Sequence, residues 1–117
     1  MHQFLPYAWF QGRCVPFEDA KVSVATHALH YGTGAFGGMR AIPDPTKPGG
    51  MLLFRADRHA RRLSQSAHLL LADLSEETVM EALTAMLHAN KPTTPIYLRP
   101  FVYTSDLGIA PRLHNIE

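Results

Sequence analysis

The sequence holds a single cysteine, Cys14, so no internal disulfide can close and no cysteine-based zinc site can form from this chain alone. A fold that needs neither suits a reducing compartment, and the cytoplasm is the expected location. Long apolar runs are missing too. The longest stretches are only a few residues, far below the roughly 20 that span a bilayer. Met1 to Phe17 lacks a basic start followed by an apolar block, so neither a signal peptide nor a membrane anchor is expected. Charge of one sign is equally scarce. Eleven Lys and Arg stand against ten Asp and Glu, a formal charge of +1, and no net field favours nucleic acid, an acidic polymer or a membrane surface. Any basic site must be local.

What remains is an ordinary globular composition, 46% hydrophobic and 18% charged over 117 residues, which is room for one domain with a modest core. Tyr7-Ala8-Trp9-Phe10 and Arg13-Cys14-Val15-Pro16 flank Gln11-Gly12, which predicts a β-hairpin from Tyr7 to Phe17. Lys21 to His30 mixes strand-like and helix-like periods, and neither wins. Four glycines fall between Gly32 and Gly38, followed by a strand-like Met39 to Ile42, a loop from Pro43 to Gly50 and a short strand from Met51 to Phe54. Ala56, Ala60, Leu63, Ala67 and Leu70 then recur at steps of four and three, the stripe of a helix from Arg55 to Leu71. Ser75 caps a second helix with Val79, Leu83, Met86 and Leu87 as its apolar face, ended near Asn90 by Lys91-Pro92. Pro95 to Thr104 reads as a strand, and Ser105 to Glu117 as a loop or linker. Strands followed by helices predict an α+β domain, an antiparallel-rich sheet with two helices packed on one face.

Few segments carry chemistry. Gly32-Thr33-Gly34-Ala35-Phe36-Gly37 spells GxGxxG, yet a strand-like run follows it, so no helix N-terminus would meet a pyrophosphate. Tight turns, or close approach of another group to the backbone, explain the glycines better. Period two sorts the strand near residue 100 into a core face of Ile96, Leu98, Pro100 and Val102 and a face of Tyr97, Arg99, Phe101 and Tyr103. The second face is either wet or lines a pocket. Arg55, Arg58, Arg61 and Arg62 are either a solvated basic face with Asp57 as partner or the source of one inward arginine for a phosphate, since Arg61 and Arg62 project about 100° apart. The seven histidines show no metal-ligand spacing, and Cys14 reads as an inert thiol.

Thr26-His27-Ala28-Leu29-His30-Tyr31-Gly32-Thr33, Phe36-Gly37-Gly38-Met39-Arg40, Phe54 to Leu63, and Tyr97-Leu98-Arg99-Pro100 together resemble the class IV pyridoxal-phosphate aminotransferases. The first run is similar to the branched-chain amino-acid transaminases in particular. The resemblance implies that residues 1–117 are the small N-terminal domain, the domain bearing the Schiff-base lysine lying outside them. The chain's lysines are Lys21, Lys47 and Lys91, and none matches a catalytic position of the family. Carried over by resemblance, Arg62 binds the phosphate of pyridoxal 5'-phosphate, and Tyr31, Phe36, Tyr97 and Arg99 line the substrate pocket. Leu107 and Ile109 belong to a loop that reaches the neighbouring site of a homodimer. The implied substrates are leucine, isoleucine or valine with 2-oxoglutarate.

One position departs from the family pattern. Gly37 stands where a glutamate is usual, which removes a polar anchor and weakens inference about substrate preference. Rival readings are a D-amino-acid transaminase or an aminodeoxychorismate lyase, against which HALHYGT argues, and a non-catalytic module binding a small carboxylate. A nucleic-acid module ranks below both, for want of basic surface.

Overall fold

The computed structural model of the chain describes residues 4–70 and 73–105. The hairpin is present: β1 (Tyr7–Phe10) pairs antiparallel with β2 (Arg13–Pro16), with Phe10 opposite Arg13. Gln11 and Gly12 both take left-handed backbone, φ 52° and 85°, which suits the twist of a two-residue hairpin. The ambiguous stretch before residue 31 yields a short helix, α1 (His27–Tyr31), closed by Gly32 at φ 65°. Five residues do not hold a helix unaided, so α1 depends on what it touches.

Next come β3 (Gly34–Phe36), β4 (Met39–Pro43) and β5 (Met51–Leu53), the last two joined by a loop in which Thr46 donates to Asp44 Oδ1 from both its N–H and its hydroxyl, at 2.9 and 2.7 Å. The first long helix, α2 (Ala56–Leu69), buries Ala56, Ala60, Leu63 and Ala67, the stripe its periodicity calls for. The second, α3 (Glu76–Asn90), starts at the expected cap, where Ser75 Oγ accepts from Thr78 N–H at 3.1 Å, and buries Val79 and Leu83. Asn90 at its end grips the hairpin, accepting from Tyr7 N–H at 2.9 Å and donating to Tyr7 O at 3.2 Å.

The remaining strands refine an expectation. Pro95 to Thr104 is not one strand but two, β6 (Ile96–Leu98) and β7 (Phe101–Tyr103), paired with β4 and β3 respectively. Pro100 has no N–H to give, which interrupts the ladder. Register does not slip across the gap. Phe36 faces Phe101 on one side and Met39 faces Leu98 on the other, so Gly37 stands opposite Pro100 and Gly38 opposite Arg99. A hydrogen bond from Gly37 N–H to Pro100 O, 3.0 Å, bridges the break. β3 with β4 and β6 with β7 therefore make one antiparallel ribbon with an interrupted middle.

The fold is α+β, every strand pairing is antiparallel, and the pairing is distributed over the hairpin, the β3–β7 ladder and the β5–β4–β6 sheet. α2 packs on β3 and on α3, and α3 packs on the hairpin. Met39, Ala41, Leu98 and Val102 from the ribbon meet the α2 alanines, Leu63, Val79 and Leu83 in one core. Three alanines on α2 let its backbone come close to its neighbours, while the larger ribbon residues fill the space between. No helix among the described residues is long and apolar enough to cross a membrane.

Candidate active-site face

Because the register is continuous, the ribbon keeps two faces along its whole length. Leu98 and Val102 are 9% and 3% exposed on the inner face, while Tyr97 and Phe101 are 57% and 53% exposed on the outer one. The outer face carries Tyr97, Arg99, Phe101 and Tyr103 from one side of the ribbon and Gly34, Phe36, Gly38 and Arg40 from the other. Its side chains lean diagonally, each over the residue two positions before the one it faces. Phe101 lies over Gly34, where a Cβ would come within 2.7 Å of the ring. Arg99 lies over Phe36, its guanidinium carbon 4.3 Å from the ring centroid. Tyr97 lies over Gly38, where a Cβ would overlap the phenol hydroxyl and stand 2.8 Å from Cζ.

This stagger shows which group makes the close approach to the glycine backbone that the sequence leaves open. Gly34 and Gly38 make room for the protein's own aromatic rings. Between those rings, Arg99 Nη2 donates to Tyr97 Oη at 3.4 Å, and its guanidinium sits 5.7 Å from the Tyr97 ring. Two aromatic planes thus fix the guanidinium, and one phenol takes a single donor of its five. A planar fork held in this way can receive a carboxylate in two parallel hydrogen bonds. Phe36, Tyr97 and Arg99, three of the residues that the resemblance assigns to the substrate pocket, form one cluster.

Tyr31 belongs to a different contact set. It is the last residue of α1, 41% exposed, with its ring 4.6 Å from that of His27. α1 is fastened to the residue that follows β7: Ala28 N–H donates to Thr104 O at 3.4 Å, and Thr104 N–H and Oγ1 both donate to Thr33 O, at 2.9 and 3.1 Å. His27 is buried and hydrogen-bonds Thr33 Oγ1 through Nδ1 at 2.9 Å.

The arginines of α2 separate by partner and not by depth. Arg61 and Arg62 are both exposed, so neither is turned into the interior of this domain. Arg61 Nε pairs with Glu76 of α3 at 3.4 Å, where the sequence pointed to Asp57 as the local partner. Arg62 Nη2 donates to His59 Nδ1 at 3.5 Å. Arg55, Arg58, His59 and Arg62 line a hollow of about 330 Å³, with no carboxylate in its wall among the described residues. A wall of three guanidiniums and an imidazole suits a phosphate dianion. A larger groove, about 630 Å³, lies between α2 and α3, but Asp57, Glu76, Glu77 and Glu81 give it the wrong sign for any anion.

Leu107 and Ile109 lie outside the described residues. Sequence reading passed over His59, His27 and Thr33 as site residues. The signal for His59 was its offset of three from Arg62 on a helix, one turn away on the same side. His27 and Thr33 offered no such signal, because their contact spans a glycine turn.

No protein-family model matches the sequence. Over all 117 residues the chain is 61% identical to a probable branched-chain-amino-acid aminotransferase of Synechocystis sp.. Along its whole length the chain is thus similar to the branched-chain aminotransferases. It spans 38% of that relative's length and corresponds to the N-terminal part of the fold type IV enzymes. Among solved structures, the branched-chain aminotransferase of Thermoproteus uzoniensis with norvaline matches at TM-score 0.85 and 30% identity, over 97% of this chain and 38% of that one. The branched-chain aminotransferase of Thermobaculum terrenum in its PLP-bound holo-form matches at TM-score 0.76 and 27% identity, over 90% of this chain and 35% of that one. The similarity thus rests on backbone shape as well as on sequence.

Proposed function

We propose that the chain is the substrate-facing domain of a pyridoxal-phosphate-dependent transaminase that moves an amino group between leucine, isoleucine or valine and 2-oxoglutarate. The observation that carries this reading is the guanidinium of Arg99 seated on Phe36 and bonded to Tyr97. Arg99 would hold the substrate carboxylate, Tyr97 would orient that arginine and donate its own phenol, and Phe36 would supply an apolar wall for an aliphatic side chain. Arg62 would hold the cofactor phosphate, with the Arg58 and His59 side chains beside it in the basic hollow. When bound, pyridoxal phosphate supplies the electron sink for the reaction.

The reading includes a second domain that carries the Schiff-base lysine, a homodimeric assembly in which the loop containing Leu107 and Ile109 reaches the neighbouring site, and a cytoplasmic location. What supports these is the similarity of the chain to the branched-chain aminotransferases. The open outer face of the ribbon is also what a domain that closes its pocket against another body would present.

The test is a visible absorption scan of the full-length product before and after addition of leucine. A band of bound pyridoxal phosphate that shifts with leucine, and shifts back with 2-oxoglutarate, is the expected result. No band after reconstitution with the cofactor would overturn the transaminase reading in favour of a carboxylate-binding module.

A further inference from the structure

We infer that His27, a buried residue with no part in the proposed chemistry, is a positioning residue that fixes the Tyr31 phenol at the substrate face. The inference rests on the reading of Tyr31 as a substrate-pocket residue. Tyr31 ends a helix too short to be rigid by itself, and the next residue, Gly32, is in left-handed backbone. The backbone alone therefore does little to restrain the phenol, and a neighbouring ring must do so. The residue one turn back is His27, whose ring lies 4.6 Å from the Tyr31 ring at 35°, nearer than the His30 ring at 6.5 Å.

His27 can serve as a platform because it is itself immobilised. It is 1% exposed, and its Nδ1 is tied across the glycine turn to Thr33 Oγ1 at 2.9 Å. The carbonyl of Thr33 in turn accepts from both the backbone and the hydroxyl of Thr104, a fully buried residue next to β7. Polar contacts thus run from Thr104, just after the strand that begins at Phe101, to the His27 ring against which Tyr31 lies. A phenol held by these contacts is ordered before a ligand arrives, so the ligand need not spend affinity on ordering it.

The experiment uses the full-length product loaded with pyridoxal phosphate. The dissociation constant of isocaproate, a branched carboxylate with no amino group, is measured by calorimetry beside the KM for leucine. His27→Ala is expected to raise both about tenfold, the size of a well-placed hydrogen bond to a charged group lost from the complex. His27→Phe restores a flat ring beneath the phenol and is expected to recover most of the loss, which a generic structural role would not allow. Tyr31→Ala should abolish the effect of changing His27, so the double variant should match Tyr31→Ala alone. Additive losses would overturn the positioning role and leave Tyr31 in the pocket. No effect of Tyr31→Ala on either constant would remove Tyr31 from the pocket and take the inference with it. If His27→Ala does not fold, Thr33→Val cuts the tether and keeps the ring: a rise of about threefold supports the inference, and unchanged constants refute it.

Discussion

Arg99 and Arg62 are both exposed arginines assigned to anions, and the chain holds them in different ways. Arg99 stands on the ribbon in the break between β6 and β7, with Phe36 beneath it and the Tyr97 phenol beside it, so its plane is set before any ligand arrives. Arg62 stands on a helix among other basic groups, with one long hydrogen bond to His59. A strand face offers neighbours on both sides at fixed diagonals, whereas a helix face offers them only one turn away along its own axis. The first arrangement suits selection of a planar carboxylate. The second suits a phosphate, which is spherical in its demands and satisfied by charge from several directions.

The largest expected effect tests the stronger arm of this contrast. Arg99→Lys keeps the charge but loses the plane that stacks on Phe36, and in the full-length product it is expected to lower kcat/KM for leucine about a hundredfold. An unchanged value would mean that the aromatic seat contributes nothing to carboxylate recognition. On the helix, Arg62→Ala should weaken pyridoxal-phosphate binding about tenfold in an equilibrium titration, while Arg61→Ala, which removes only the exposed pair with Glu76, should change it less than about twofold. Equal losses would break the distinction drawn between these neighbours.

Two glycine variants sharpen the comparison further. Gly38→Ala forces the Tyr97 ring aside, and the KM for leucine is expected to rise about threefold with the cofactor still bound, because the phenol leaves the arginine it orients. An unaltered KM would show that the ring's seat is unimportant. Gly37→Ala is the contrasting case. A Cβ there meets only Pro100 Cγ at 3.8 Å, and the residue is not in left-handed backbone. Its replacement should stabilise the domain by about 0.5 kcal/mol through the unfolded chain, read from a denaturant midpoint. A destabilised variant would mean that Gly37 answers a packing need its surroundings do not reveal.

The two glycines also show where sequence reading ran out. Both sit in the same glycine-rich stretch from Gly32 to Gly38 and look alike as letters. Alternation along the ribbon makes Gly38 an outer-face residue opposite Arg99 and Gly37 an inner-face residue opposite Pro100, so one seats an aromatic ring and the other does not. That assignment needs the register between strands about 60 residues apart in sequence, which no local pattern encodes. The split of Pro95 to Thr104 into β6 and β7 had a local cause in Pro100, yet the alternation of its faces was legible all the same because register was preserved across the gap.

Local chemistry in the sequence was enough to determine the hairpin at Gln11-Gly12, the alanine stripe of α2, the Ser75 cap of α3 and the two faces of the strand region around residue 100. Each depends on neighbours within one turn or one pleat, where backbone geometry alone decides the outcome. Only the tertiary structure decided that Arg61 turns to Glu76 while Arg62 turns to His59, that Phe36 lies under Arg99, and that His27 is locked to Thr33 beneath Tyr31. Those outcomes follow from packing and strand register. A side chain with several partners in reach takes the one its surrounding elements bring nearest, and the helix crossing and ribbon register that do so are properties of the whole folded domain.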